Sequence, residues 1–344
     1  MKKSLIALAV LAASGAAMAQ SSVTMFGIVD TGVTYVNHAN AAGDSLYGLT
    51  TSGNATSRLG FRGTEDLGGG LKAGFWLEGE IFGDNGNASG FNFQRRSTLS
   101  LAGNFGEVRL GRELVPTYSK ASSYDLFGQT GIGQFMGWSN WIGSATADAN
   151  DIRSSNMISY YTPNFGGFSG GVGYGFDEKT SGKEARYAGI TGSYDNGPLS
   201  VTMAYDRRDL AGSVSRDTLS VGGSYDLNVV KLSTILQQSK YEAPGVADAK
   251  FNAYSLGASA PVGAGEFKLQ YALYDQKAID SKAHQLSLGY VHNLSKRTAL
   301  YGTVAYLKNK DSSNLGLATK GLTVAGPGAG NNQTGVQVGI RHAF

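Results

Sequence analysis

The chain has 344 residues, of which 50 are glycine, and hydrophobic residues make up 41% of it. Glycine at about twice its usual share of roughly 7% disfavours a helix-rich protein, because glycine costs about 1 kcal/mol in a helix interior. The absence of cysteine excludes disulfide scaffolds and cysteine-based zinc sites, and a net charge of +3 is too small to indicate a nucleic-acid partner.

The N-terminal segment has the pattern of a secretory signal peptide. Lys2 and Lys3 precede an apolar run at 5–13, and Ala17-Met18-Ala19 is a small-residue cleavage site. The apolar run is shorter than the roughly 20 residues that a membrane-spanning helix needs. We therefore expect residues 1–19 to be removed as a signal peptide. Residues 20–344 then form a single mature domain whose net charge is only +1, because two lysines are lost.

From residue 23 onward the hydrophobic pattern has a period of two. The alternation returns at 57–66, 71–81 and 336–344, and in the second of these segments Glu78 and Glu80 lie on the polar face. A period of two over about ten residues predicts long strands with one apolar and one polar face. In the first strand the apolar face consists of Val23, Met25, Val29, Val33 and Tyr35.

The connections between these strands alternate between short turns and longer polar loops. Seven short turns and eight longer loops join about 16 strands, and all six prolines fall in or beside connections, as expected where every strand is paired on both sides. Long antiparallel amphipathic strands with this loop asymmetry indicate a transmembrane β-barrel, which must close because lipid cannot satisfy an unpaired edge. A secreted β-sandwich or solenoid is the alternative, and it matches the strand length and loop asymmetry less well.

The connection at 113–150 is longer than every other one except the glycine-rich loop at 309–332. Loops longer than about 15 residues are usually functional or disordered, and this one is too rich in aromatic residues for a disordered segment. A barrel of 16 strands encloses an aqueous channel, so we expect this third external loop to fold inward and narrow the channel. Its only charges between 114 and 147 are Lys120 and Asp125, which we assign to the constriction. Its aromatic residues are Tyr118, Tyr124, Phe127, Phe135, Trp138 and Trp141.

Three stretches of the sequence carry a family resemblance. The start at 22–30, the run Arg-Leu-Gly-Phe-Arg-Gly-Thr-Glu-Asp at 58–66 and the end at 339–344 resemble the Gram-negative general porins. They are most similar to the anion-preferring porins of β-proteobacteria, and the resemblance extends over the whole mature chain. It implies a 16-stranded homotrimeric barrel in the outer membrane that passes small hydrophilic solutes and ions by diffusion. In the third loop, Gln134 stands where the family has an acidic residue.

The resemblance also implies where the channel selects ions. Arg58, Arg95 and Arg153 match the family's basic constriction positions, and rings of such residues select anions. The alternation of side chains along the strand, which we call strand parity, independently places Arg58 and Arg62 on the polar face. Arg95 shares a face with Leu99 and Leu101, so parity alone points it outward. We therefore expect an anion preference set by Arg58, Arg62, Arg95 and Arg153 together with Lys120 and Asp125.

The C-terminal Phe344 lies on the apolar face of the last strand, and the resemblance implies that the outer-membrane insertion machinery reads it. Other expected partners are a second and third copy of the chain, outer-membrane lipids and lipopolysaccharide, and small anions and hydrophilic solutes. We expect no cofactor, no metal and no nucleic-acid partner, since the four histidines lack metal-ligand spacing.

Two other functions stay open at this stage. The tyrosines and tryptophans of the long loop are compatible with a channel specific for aromatic or carboxylate solutes. An outer-membrane barrel enzyme, such as a phospholipase or protease, is less well supported; it would need a Ser/His or Asp/His group, and the positions of His38 and His284 alone do not decide against one. We expect the protein not to be an enzyme.

Overall fold

The computed structural model describes residues 22–138, 152–178, 180, 183 and 185–344. The signal peptide that we predict, its cleavage site and Trp141 lie outside these residues. Within the described residues, no helix has the length and apolar character needed to span a membrane.

The described chain forms a single antiparallel sheet that closes on itself. The first strand, β1, pairs with the last, β17, along one edge and with β2 and β3 along the other. β2 covers residues 31–36 of β1 and β3 covers residues 22–28, so these two short strands share one place in the barrel. The barrel therefore has 16 strand positions, which confirms the predicted fold class. Its strands are β1 Ser22–Val36, β2 Leu46–Thr51, β3 Arg58–Gly68, β4 Leu71–Glu80, β5 Arg96–Gly103, β6 Gly106–Leu114, β7 Arg153–Tyr161, β8 Phe168–Gly175, β9 Tyr187–Asn196, β10 Leu199–Asp209, β11 Ser215–Asp226, β12 Lys231–Ala243, β13 Val246–Val262, β14 Gly265–Gln276, β15 Ser281–Asn293, β16 Thr298–Asp311 and β17 Gln333–Ala343.

The alternating pattern places apolar side chains outside the barrel and polar or small ones inside. In β10, Met203 and Tyr205 are 58% and 46% exposed, whereas Thr202 and Ala204, which alternate with them along the strand, are buried. Successive residues of a strand point to opposite faces, so one face of each strand forms an apolar outer band and the other lines the interior. This arrangement is the reverse of a soluble protein and is typical of a barrel in lipid.

Short turns join the strands at one end of the barrel and longer loops join them at the other. The turn after β3 contains Gly68, Gly69 and Gly70, all with positive φ, a conformation that glycine adopts without steric cost. At the other end, β6 leads into a short helix, α1 (Pro116–Ala121), and a 3-10 turn (Ser122–Tyr124). Two further 3-10 turns lie in the long-loop end at Ala211–Ser213 and Lys277–Ile279.

The main apolar cluster of the described chain combines residues of two long connections with side chains of the barrel wall. Ile132 and Phe135 come from the connection after β6, and Leu315 and Leu317 come from the connection after β16. Both connections therefore pack against the barrel wall, and they position the residues described next.

Candidate pore constriction

Residues 115–138, which we call the inner segment, lie against side chains of β9 to β17. Ser233 donates a hydrogen bond to the carbonyl of Tyr124, and Gln285 Nε2 donates to the carbonyl of Ile132 over 3.1 Å. Ser233 and Gln285 are buried, while their strand neighbours Leu232 and Leu286 belong to the exposed outer band. The wall residues that hold the inner segment therefore belong to the face opposite the apolar outer band.

Asp125 anchors the turn of the inner segment through four accepted hydrogen bonds. Its Oδ1 accepts from Gln270 Nε2 at 2.8 Å and from the Phe127 amide at 3.2 Å. Its Oδ2 accepts from the amide and the side chain of Gln129 at 2.7 and 2.8 Å. Burial raises the pKa of Asp125, and the hydrogen bonds from Gln270 and from backbone amides act in the opposite direction. Asp125 is only 4% exposed, so its carboxylate fixes the segment to β14 and does not present its charge to an open surface.

The aromatic side chains of the inner segment pack on each other and on glycines of the wall. Trp138 lies edge-on to Tyr118 and Phe135, with ring centroids 5.1 and 5.5 Å apart. A Cβ atom at Gly222 would come within 2.4 Å of the Tyr124 ring, and one at Gly289 would come within 2.8 Å of the Phe127 ring. Glycine is thus required where these rings meet the wall. Burial also raises the pKa of Tyr118 well above its usual range.

Three arginines lie around one carboxylate on the strands β3 to β7. Arg95 Nε donates to Glu78 Oε1 at 2.6 Å, and Arg58 Nε lies 4.0 Å from the same oxygen. Arg153 Nε donates to the backbone carbonyl of Arg95 at 2.9 Å. The structure therefore brings Arg58, Arg95 and Arg153 together, although they stand on different strands and connections.

The position of Arg95 has a local explanation. β5 begins at Arg96, so Arg95 precedes the strand and strand parity does not determine its direction. Its amide donates to the carbonyl of Glu78 at 3.0 Å. Arg96 occupies the inward position instead, lies 3.7 Å from Glu113 and stacks over the Trp76 ring at 4.6 Å from its centroid. Leu99 faces outward, and Arg96 lies three residues before it on the same strand, so strand parity places Arg96 on the inward face. The sequence analysis did not use this signal.

Lys320 is a further cation at this site that the sequence analysis missed. It belongs to the connection after β16, forms an ion pair with Glu80, and its carbonyl accepts from the Thr51 amide at 3.1 Å. Burial lowers the pKa of Lys320, and the neighbouring Glu80 carboxylate acts in the opposite direction. The apolar residues Leu315 and Leu317, spaced two apart in a glycine-rich loop, were the signal that this loop packs inward.

Among the described residues, this cluster, which we call the basic wall, has an excess of positive charge. Two carboxylates, Glu78 and Glu80, stand among four cations, which gives a net charge of +2. Both acids lie on the polar face of β4 that the alternation predicted. The cations are Arg58, Arg95, Arg153 and Lys320.

The two remaining charges that we assigned to the constriction lie apart from the basic wall. Arg62 stacks over the Phe26 and Trp76 rings, 5.3 and 5.1 Å from their centroids, and lies further along β3 toward the short turns. Lys120 Nζ donates to Asp195 Oδ1 at 2.8 Å on β9, with the two side chains 33% and 41% exposed. The charge of Lys120 is thus balanced by a carboxylate of the wall on which the inner segment lies.

Comparison with known proteins agrees with this architecture. A family model described as Gram-negative porin matches residues 5–312. The chain belongs to the Gram-negative porin family. It is 68% identical to outer membrane porin protein 32 of Delftia acidovorans over the full length of both chains, and 34% identical to an outer membrane porin of Bordetella pertussis. Its structure is similar to that of the anion-selective porin from Comamonas acidovorans, with a TM-score of 0.91 and 65% identity, covering 94% of this chain and all of the other.

The family fixes the orientation and location of the barrel. Porins lie in the outer membrane with short periplasmic turns and longer external loops, so the connections after β6 and β16 are external. At the periplasmic end, Phe344 pairs with Gly27 through two backbone hydrogen bonds of 3.0 and 3.1 Å. A Cβ atom at Gly27 would come within 2.3 Å of the Phe344 ring, so this glycine makes room for the C-terminal ring on the outer surface of the seam between β1 and β17.

Proposed function

We propose that the basic wall and the inner segment form the constriction of this porin and give it a preference for anions. The observation that carries the proposal is the +2 excess of Arg58, Arg95, Arg153 and Lys320 over two carboxylates. Rings of arginine and lysine select anions in pores. Low-dielectric walls focus the field of a small excess charge to several kT, so a chain with little net charge can still discriminate strongly.

The inner segment supports the proposal by adding no opposing charge. Asp125 is buried in its hydrogen-bond network, and Lys120 is balanced by Asp195. The five aromatic residues of the segment that the structure describes pack against the wall and against each other, which holds the segment in place as a rigid obstruction. The printed description of the Comamonas acidovorans protein as anion-selective is consistent with this assignment.

We also propose that the porin acts only as a channel and not as an enzyme. His284 points to the outer side of β15, where its Nδ1 lies 2.6 Å from the Tyr271 hydroxyl. His38 lies on the loop after β1, and its backbone carbonyl accepts from Gln333 at 2.7 Å. In the part of the chain that the structure describes, neither histidine forms a hydrogen bond with a serine, an aspartate or a glutamate, which is the contact that a hydrolase site of this type requires.

For assembly we propose a homotrimer, as the family resemblance implies, with Phe344 as the residue that the insertion machinery recognises. Phe344 is 42% exposed on the outer surface of the barrel, even though its backbone is paired with Gly27. An exposed aromatic ring at the end of the last strand is accessible to a partner before the barrel closes.

The proposed function is tested by recording single channels of the purified protein in planar bilayers. A linear, stepwise conductance and a reversal potential of the sign expected for chloride preference in a potassium chloride gradient would support it. Conductance that is blocked saturably by one class of carboxylate would indicate a substrate-specific channel instead. A cation-selective reversal potential, or lipid or peptide hydrolysis without conductance, would contradict the proposal.

A further inference from the structure

The barrel wall is interrupted where β2 ends and β3 begins. These two strands share one place beside β1, and the residues between them, 52–57, leave the sheet. We call residues 52–57 the wall turn. Asp30 of β1 lies at this gap and is fully buried, while its neighbour Val29 is 40% exposed in the apolar outer band. Because successive residues of a strand point to opposite faces, the Asp30 side chain points to the inner face of the barrel.

The carboxylate of Asp30 supplies the hydrogen-bond acceptors that the wall turn lacks outside the sheet. Its Oδ1 accepts from the Gly53 amide at 3.2 Å and from the Tyr301 hydroxyl at 2.7 Å. Its Oδ2 accepts from the amides of Asn54 and Ala55 at 2.8 and 2.7 Å. A buried amide without an acceptor destabilises a fold, so this carboxylate allows the chain to leave the sheet at this point.

The backbone of Asp30 fixes both ends of the wall turn. Its carbonyl accepts from the Ser52 amide at 2.9 Å and from the Ser57 hydroxyl at 3.0 Å, and its amide donates to the Ser57 hydroxyl oxygen at 2.9 Å. Thr51 Oγ1, just before the turn, donates to the same carbonyl at 3.2 Å. The first and the last residue of the wall turn are therefore both held by a single residue of β1.

The wall turn is connected to three parts of the proposed constriction. Arg58 of the basic wall is the residue that follows the turn, and the carbonyl of Lys320 accepts from the Thr51 amide at 3.1 Å. On the inner segment, Gly131 has a φ of 65°, and a Cβ atom there would collide with the carbonyl oxygen of Gly53. The wall turn thus lies between two cations of the basic wall and the inner segment.

We propose that Asp30 is a positioning residue of the constriction, and that Tyr301 holds its carboxylate in place. Asp30 fixes the wall turn, and the wall turn in turn fixes Arg58, Lys320 and the inner segment. Since Asp30 is fully buried, it does not contact ions in the channel and acts through the residues that it holds. The proposal rests on the proposed function, because it takes the basic wall as the part of the channel that sets the ion preference.

A role in positioning and a direct effect of charge predict opposite changes in ion preference. If Asp30 acted by its charge, Asp30→Asn would remove a negative charge and raise the chloride-to-potassium permeability ratio. If Asp30 acts by position, Asp30→Asn lowers the ratio, because asparagine has only one acceptor oxygen and the released wall turn lets the cations move away from the ion path. Tyr301→Phe removes one hydrogen bond and no charge, so it changes the ratio only through position.

The test measures single-channel conductance and the reversal potential of the purified protein in planar bilayers under a potassium chloride gradient. The variants are Asp30→Asn and Tyr301→Phe. Thr218→Val is the control, because it removes a buried hydroxyl that is hydrogen-bonded to Ser239 at 3.2 Å on β11 and β12, away from the wall turn. Heat-modifiable migration on gels verifies that each variant is folded. Tyr301→Phe retains the ring and the carboxylate, so it tests the proposal even where Asp30→Asn does not fold.

We expect Asp30→Asn to lower the permeability ratio about fivefold in 0.1 M salt. Moving one cation from about 4 Å to about 8 Å from the ion path halves its interaction with each passing ion, which amounts to about fivefold for chloride and potassium together. Tyr301→Phe should lower the ratio in the same direction by less. Both variants should show a larger and noisier conductance, whereas Thr218→Val should behave as the wild type does.

A raised or unchanged ratio in folded Asp30→Asn would overturn the proposal. So would a wild-type ratio and conductance in Tyr301→Phe, or an equal change in Thr218→Val. Arg58→Gln separates this failure from failure of the proposed function. If Arg58→Gln lowers the ratio while the Asp30 and Tyr301 variants do not, the positioning role is wrong and the constriction stands. If Arg58→Gln leaves the ratio unchanged, the proposed constriction is wrong, and the positioning role fails with it.

Discussion

Arg58 offers the cleanest test of the basic wall. Its side chain is 32% exposed, and its Nε is 4.0 Å from a carboxylate oxygen of Glu78. Glu78 keeps its closer partner Arg95 when Arg58 is removed. Replacing Arg58 by glutamine retains most of the side-chain length and removes one positive charge, so the change separates charge from channel width.

The expected size of the effect follows from the charge count of the basic wall. Removing one cation lowers the net charge from +2 to +1. An ion that passes about 4 Å from a unit charge in water gains or loses about 1 kcal/mol, which is about a fivefold change in its permeability. Chloride loses this energy and potassium gains it, so we expect the chloride-to-potassium permeability ratio of Arg58→Gln to fall about 25-fold in 0.1 M salt. The difference should largely vanish near 1 M salt, where the screening length falls to about 3 Å.

The assay is the reversal potential of purified protein in planar bilayers under a potassium chloride gradient. Arg58→Ala should lower the ratio similarly and widen the channel slightly, and Glu78→Gln should shift the ratio in the opposite direction. Lys308→Ala is the matched control, because that lysine lies on the outer face of the barrel. Equal shifts for Arg58→Gln and Lys308→Ala would refute the reasoning.

Three further outcomes follow from the structure. Asp125→Ala leaves Gln270 and buried amides of the inner segment without their hydrogen-bond acceptor, which weakens the attachment of the segment by about 3 kcal/mol. Single-channel recordings should therefore become noisier and show a larger conductance. Unchanged traces would count against the anchoring role. Lys120→Ala uncovers the half-exposed Asp195, so the reversal potential should shift toward cations, by less than in Arg58→Gln. Deletion of Phe344 removes both hydrogen bonds to Gly27, so heat-modifiable protein in outer-membrane fractions should drop to a small fraction of the wild-type amount. Phe344→Tyr should retain most of that amount. Wild-type levels after the deletion would contradict the role of this residue.

The barrel could be predicted from the amino-acid sequence alone. Side-chain alternation is a local property of each strand, so the apolar outer face and the polar inner face are visible in any run of about ten residues. Once the strands are known to lie in lipid, closure follows, because no unpaired edge is tolerated there. Arg58 and Arg62 were correctly placed on the polar face of β3 for the same local reason.

Parity failed at Arg95 because parity applies only within a strand. β5 begins one residue later, and the direction of Arg95 is set by its hydrogen bonds with Glu78 on the neighbouring strand. Local alternation cannot contain that information. The same limit applies to Arg153, whose place beside Arg95 depends on a hydrogen bond to a backbone carbonyl 58 residues away.

The charge balance of the proposed constriction depends on contacts that only the folded chain shows. Lys120 and Asp195 are 75 residues apart, and Lys320 and Glu80 are 240 residues apart. Electrostatic interactions depend on distance in space and on burial, and neither is given by residue spacing along a chain that closes into a ring. The sequence analysis therefore recognised Lys120 and Asp125 as charges of the long loop. Only the folded chain shows that Lys120 is balanced by a carboxylate of the wall and that Asp125 is buried in a hydrogen-bond network. It also shows that a second loop brings Lys320 to the basic wall.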